Sequence, residues 1–361
     1  MRKRKEETKP KPLLDLYITH WKEPWEVGRP GLWMLACQRG VNWDEVRVTI
    51  VHDGVEPFPE SCFSEFPFPV HQECIPHGGP SKARNWGIDH GEAEWIKWND
   101  FDDSFYGVYS VARLMEAIHN AENYDFLWWA MTGEDVEGRV KLRDERDPVL
   151  VHAKAFRRSF LREHNVRYNE SLTWCEDSAF LALVELEIDH QRIGKVSAEA
   201  PLYCSIARVG SLCHRKEIRF QNMKSFFYRH RYVQDEFLKR EKMEPYRTMS
   251  VRIMGDCYKI LFLDDFPGED LTEYREEVLE YWRMHRGDFF LLPEKRYRMA
   301  LDAVDNESVF WDEEKKAMVQ RKIPRDGEFK SWLREMTEEI HRRGLEFAEP
   351  VVLPGEDLPK R

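Results

Sequence analysis

The chain has 361 residues, 42% of them hydrophobic and 34% charged, and a formal net charge of −11. That length allows one large α/β domain with or without an appendage, and the acidic balance argues against a protein built to coat nucleic acid. No run approaches ~18 apolar residues, so no membrane span is expected. The seven cysteines show no regular spacing, which suits free thiols in a reducing, cytoplasmic setting.

In chain order, Met1-Arg2-Lys3-Arg4-Lys5 runs into Glu6-Glu7 and prolines without an apolar core. Residues 1–12 therefore read as a disordered basic arm, not a signal peptide. Leu13 to Thr19 is an apolar run ending in His20 and reads as a buried strand. Residues 30–39 carry helical spacing, with Gly40 as a stop. Val46 to Val51 is β-branched and alternating, and His52-Asp53-Gly54 then makes a turn. Strand, helix and strand in this order build a parallel sheet. Residues 55–80 look irregular, and Ser81 opens a helix that Gly91 closes. Trp95 to Trp98 reads as a third strand, followed by a helix over 109–121 and strands over 125–131 and 149–152. Helices are expected over 154–164 and 178–186. From about Phe220 the pattern changes to long charged helices over 220–242, 245–263, 270–286 and 326–344. The expected division is an α/β domain over 13–219, a helical extension over 220–348 and a tail over 349–361. Most of the thirteen tryptophans are expected to pack the core.

The third strand ends in Asn99-Asp100-Phe101-Asp102-Asp103. Three like charges so close together need a cation among them or a solvated turn. Ligands of open parallel sheets bind outside the carboxyl ends of the strands. That rule gathers Thr19, His20, His52, Asp53 and the acidic cluster at one rim. Asp100 and Asp102 alternate in an extended segment and point the same way, so Mg²⁺ or Mn²⁺ bridged to a diphosphate would relieve the repulsion. Gly78-Gly79-Pro80-Ser81-Lys82-Ala83-Arg84-Asn85 puts two cations at a helix start, which suits a diphosphate. Glu176-Asp177 opens another helix, where the pair either answers the helix dipole or supplies a general base. Arg208 and Ser211 could hold phosphate oxygens, and His214 could complete a metal shell. Thirteen Lys/Arg against six Asp/Glu over 208–259 are either a solvated helical face or a surface for a phosphate-bearing partner.

These motifs, in this order, resemble family 2 glycosyltransferases of the GT-A fold. The matching stretches are Ile18-Thr19-His20, His52-Asp53-Gly54, Gly79 to Asn85, Trp95 to Asp103, and Glu176-Asp177. The likeness covers about residues 13–215; the helical remainder has no counterpart. It implies a GT-A catalytic domain with a Rossmann-like, mostly parallel sheet, and inverting transfer from a nucleoside-diphosphate sugar, a UDP-sugar being the expected donor. By that resemblance Asp53 contacts the base and Thr19 lies beside the nucleoside. Asp100 with Asp102, or Asp102 with Asp103, forms the metal motif, and Asp177, flanked by Glu176, activates the acceptor hydroxyl. Lys82, Arg84 and Arg208 become candidates for stabilising the departing diphosphate. His52 stands where the family has its first Asp, and Thr19-His20-Trp21 replaces the usual opening turn. The acceptor is an envelope glycan or another hydroxyl compound, with modified DNA as a phosphate-rich alternative. A nucleotidyltransferase, which shares the metal carboxylates, and a non-catalytic sugar-nucleotide binder are the rival readings.

Overall fold

The computed structural model describes residues 11–134, 137–144, 146–172, 174–197, 200–206, 219–262, 268–293, 295–296, 298, 309–312, 317–320 and 326–354. The chain divides into two compact units, Met1–Lys216 and Glu217–Arg361.

The first unit is built on a seven-stranded sheet. In chain order its strands are β1 (Leu14–His20), β2 (Val46–Asp53), β3 (Val70–Ile75), β4 (Trp95–Asp100), β6 (Phe126–Trp128), β9 (Lys154–Arg157) and β10 (Ile193–Lys195). Across the sheet they lie in the order β10-β6-β9-β4-β1-β2-β3. All pairings are parallel except those of β9, which runs antiparallel to both β4 and β6. The central strands are apolar and buried, as expected of strands covered on both faces. Helices α1 (Trp25–Ala36), α2 (Gly79–His90), α3 (Ser110–His119), α4 (Arg158–Glu163) and α5 (Glu176–Glu187) complete the α/β architecture. A second sheet has the order β5-β11-β7-β8, from Ser104–Phe105, Tyr203–Ile206, Met131–Glu134 and Val140–Arg143. Trp95, Trp98 and Trp129 lie fully buried in this unit.

Several elements differ from the sequence reading. α1 starts at Trp25, five residues before the expected start, and carries Pro30 inside it. The expected strand over 149–152 and helix from residue 154 are replaced by the strand Lys154–Arg157 and a helix from Arg158. Residues 154–157 carry helical spacing, but the gap between β4 and β6 recruits them as a buried reversed strand. β3 lies inside the stretch read as irregular; as an edge strand it is mostly half-exposed and shows no apolar alternation. The strand expected over 125–131 breaks in two, and its second half joins the other sheet.

The second unit holds α6 (Arg219–Lys239), α7 (Met243–Phe262), α8 (Thr272–Phe290) and α9 (Asp326–Arg342), with a hairpin of β12 (Val309–Asp312) and β13 (Ala317–Gln320). The helices match the expected ones; the hairpin does not figure in the sequence reading. Its core includes Phe227, Met254, Tyr281, Trp282, Trp332 and Ile340. Basic residues of α6 and α7 are engaged inside the unit. Lys224 pairs with Glu277, Lys239 and Arg240 with Glu236, and Lys259 with Asp256, while Arg247 donates to the Val351 carbonyl. No helix of the described residues is long and apolar enough to cross a membrane.

Candidate active site

Parallel register brings the predicted rim together. Thr19 pairs with Asp100 across β1 and β4, and His20 pairs with His52 across β1 and β2. Thr19 Oγ1 donates to Asp100 Oδ1 at 3.0 Å. Arg84, on α2 and buried, is the centre of the acidic groups. Its Nη2 donates to Asp100 Oδ1 at 3.0 Å, and its Nη1 donates to Glu176 Oε1 at 2.9 Å. Nη1 also lies 3.0 Å from Asp177 Oδ1. One planar guanidinium thereby joins the end of β4 to the start of α5, a geometry that a point-charge ammonium cannot reproduce. Trp98 Nε1 donates to the Arg84 carbonyl at 3.2 Å, so the strand that carries Asp100 also positions this turn of α2.

α5 begins abruptly. Cys175, just before it, has φ +62°, in the left-handed region, and the next two residues are Glu176 and Asp177. The Val151 N–H donates to Asp177 Oδ2 at 3.2 Å, while Oδ1 has no hydrogen bond. Burial and the Asp177 charge push Glu176 up, against the pull of Arg84.

Sequence reasoning missed His152. Continuing the β4–β9 register from Trp95↔Arg157 sets His152 level with Asp100. Its Nε2 lies 3.0 Å from Asp100 Oδ2 and 3.8 Å from Asp103 Oδ2. Asp103 is buried and accepts from Tyr203 OH at 2.9 Å and from the Ile206 N–H at 2.8 Å. Burial opposes charge on Asp100, but Arg84 and His152 hold it well below the usual carboxylate range. Asp103 goes the other way: burial, then Asp100 and Asp102, push it up to about 7 against the pull of His152. Burial opposes a charge on His152 too, yet Asp100 and Asp103 raise it to about 9.

Donor atoms of Asp100, Asp103 and His152 all lie within 4.8 Å of one another. Two carboxylates and an imidazole suit Mn²⁺ or Mg²⁺, and the raised Asp103 marks a place where added positive charge is favoured. Asp102 is half-buried beside them and outside this group. His152 thus joins the candidate cation group, and the expected His214 and Arg208 lie outside the described residues.

Three of the expected ligand residues are engaged within the protein. Asp53 is the first. It is buried and accepts from the Gly78 N–H at 2.7 Å and the Gly79 N–H at 2.8 Å, with His77 Nδ1 at 2.9 Å. It ties the loop before α2 to β2. His20 is also buried, with both ring nitrogens engaged inside the protein. Arg84 lies beneath the carboxylates, where they consume its fork. Lys82, half-buried in the first turn of α2, lies with its stem against Gly78.

A second missed feature lies on the same rim. Trp21, 39% exposed, stacks on His77 with ring centroids 5.4 Å apart and planes 10° apart. Lys22 Nζ sits 4.6 Å from the Trp21 ring centroid. An exposed aromatic platform beside a lysine suits a planar base with an attached phosphate.

No family model matches the chain, and no curated protein matches it. Solved structures do. The S. aureus TarS fragment 1–349 in complex with UDP-GlcNAc aligns with TM-score 0.57 at 17% identity, covering 96% of this chain and 99% of that one. The same fragment in complex with UDP gives 0.54 at 16%, over 96% and 98%. A longer S. aureus TarS structure gives 0.54 at 17%, over 81% of this chain and 53% of that one. The chain thus spans about half the length of that longer protein. At such identities the likeness shows the fold alone: an α/β sheet flanked by helices, followed by a helical C-terminal part.

Proposed function

We propose that the protein is a metal-dependent, inverting glycosyltransferase of the family 2 type, taking a UDP-sugar and delivering the sugar to an acceptor hydroxyl. The observation that carries this reading is the Arg84 cluster, which sets Glu176 and Asp177 beside Asp100 at the rim. The fold it shares with a protein solved with UDP and UDP-GlcNAc supports the donor class. Trp21 and His77 receive the nucleobase, and Lys22 and Lys82 lie toward the phosphates. Asp100, Asp103 and His152, with Asp102 beside them, would hold a divalent ion; when bound it would neutralise charge on the departing diphosphate. Asp177 is the base. The carboxylate that would take the acceptor proton is held at both oxygens, Oδ2 by the Val151 N–H and Oδ1 3.0 Å from Arg84 Nη1. Arg84 aims this carboxylate. An envelope glycan is the acceptor class we favour, because basic residues of α6 and α7 are engaged within their own unit.

The test is Asp177→Asn. It should leave UDP affinity within about threefold and lower transfer by about 10²–10⁴-fold. Turnover within a factor of a few of the parent would remove Asp177 from the role of base.

A further inference from the structure

The ends of β1 and β2 meet in a contact that the proposed transfer does not use. His20 Nδ1 and His52 Nδ1 lie 2.8 Å apart, and both side chains are buried. Each ring faces a fixed acceptor on its other side. His20 Nε2 lies 2.8 Å from the Glu23 carbonyl oxygen, and His52 Nε2 lies 3.0 Å from Gln72 Oε1. The Gln72 amide is held in one orientation: its oxygen accepts from the Phe58 N–H at 2.9 Å and its nitrogen donates to the Phe58 carbonyl at 2.9 Å.

Counting hydrogens then decides the charge. A carbonyl oxygen only accepts, so both Nε2 atoms must carry a proton. A neutral imidazole has one N–H, so two neutral rings would set two bare Nδ1 lone pairs against each other at 2.8 Å. That contact is a hydrogen bond only with a third proton between the rings. Turning either ring over would put carbon where each nitrogen now has a partner.

The surroundings are mixed. Phe58 and Phe101 lie against His20, and Phe58 against His52. Cys74 stands opposite His52 in the register, and Glu60 lies 3.4 Å behind the Gln72 amide. Burial pushes both rings toward the neutral form, His52 down to about 4. Glu23, on the turn after β1, favours charge on His20. The three-hydrogen count requires that the bond between the rings, together with Glu23, outweigh burial.

We propose that His20 and His52 share a single proton, forming one buried cation that locks the turn after β1 onto β2, and that loss of this proton as pH rises releases the turn. The same turn region carries Thr19, which holds Asp100, and Trp21, which stacks on His77. His20 and His52 are thereby positioning residues. The proton count stands on the contacts alone; its consequence for donor affinity rests on the reading of Trp21 and His77 as the base platform.

The experiment is a side-chain ¹H–¹⁵N titration of the full chain with labelled histidine, without ligand, between about pH 5.5 and 8.5. The expected result is a strongly low-field proton on a ring Nδ1 at the acid end. It should vanish at the alkaline end and be missing in His20→Gln and in His52→Asn. Two rings that each carry one proton throughout the range would overturn the proposal. UDP binding by calorimetry supplies the second arm. The parent should weaken by roughly tenfold as the shared proton leaves. His52→Asn should change less, because its amide N–H offers His20 Nδ1 a donor that does not titrate. A titrating shared proton with equal pH dependence in parent and variant would overturn the lock. A shared proton in a chain that binds no UDP at any pH would support the buried cation and count instead against the donor reading.

Discussion

Arg84 is the residue on which the site depends. It is buried among Asp100, Glu176 and Asp177, and removing it would leave their charges uncompensated in a low-dielectric setting. Arg84→Met should cost about 3–5 kcal/mol in urea denaturation, and Arg84→Lys should not restore it, because lysine lacks the fork. A loss under about 1 kcal/mol would mean that the carboxylates find other partners. Arg84, Asp100, Asp103 and the Glu176-Asp177 pair were legible because each stands in a short motif whose chemistry announces itself. What they bind to was not: Arg84 reads as a phosphate ligand until the fold sets three carboxylates around it. His152 was illegible for a different reason. It closes an apolar run with no ligand spacing near it, and its place opposite Asp100 follows from the reversed direction of β9.

At the scale of elements, loops that shape the rim depend on backbone geometry. Gly54 has φ +71°, and a Cβ there would lie 2.5 Å from His77 Cβ. Gly54→Ala should therefore cost about 1–3 kcal/mol and displace His77 from Trp21. Weaker UDP binding with unchanged secondary structure by circular dichroism is the expected outcome; unchanged affinity would detach the platform from the donor. On α6, His230 is buried and Arg229 donates to its Nε2, which requires the neutral ring. Burial outweighs the Asp256 carboxylate and lowers His230 to about 4. A folded value below the unfolded one gives stability that is full above about pH 6.5 and is lost as pH falls toward 4. Acid denaturation followed by helical signal should show this slope, worth up to about 3 kcal/mol, and His230→Gln should flatten it. An equal slope in the variant would place the acid sensitivity elsewhere. Long elements with apolar periodicity, such as β1, β2, α3 and the helices of the second unit, were readable. β9 and β3 were not, because a four-residue strand is decided by its neighbours and an edge strand carries no apolar alternation.

At the scale of the whole molecule, a net charge of −11 coexists with a basic stretch in which Lys224, Lys239 and Arg240 pair with carboxylates within the second unit. The acidic surplus includes the rim of the first unit, where Asp103 is raised to about 7 by burial and by Asp100 and Asp102. On the proposed reading, a divalent cation would answer both this rim and a polyanionic donor. The direct measurement is nucleotide release from a panel of UDP-sugars with Mn²⁺, with Mg²⁺ and with a chelator. Slow release from one UDP-sugar, restored by Mn²⁺ after chelation and abolished in Asp103→Asn, is the expected result. Release that ignores the chelator, or none from any sugar nucleotide at any metal concentration, would contradict it.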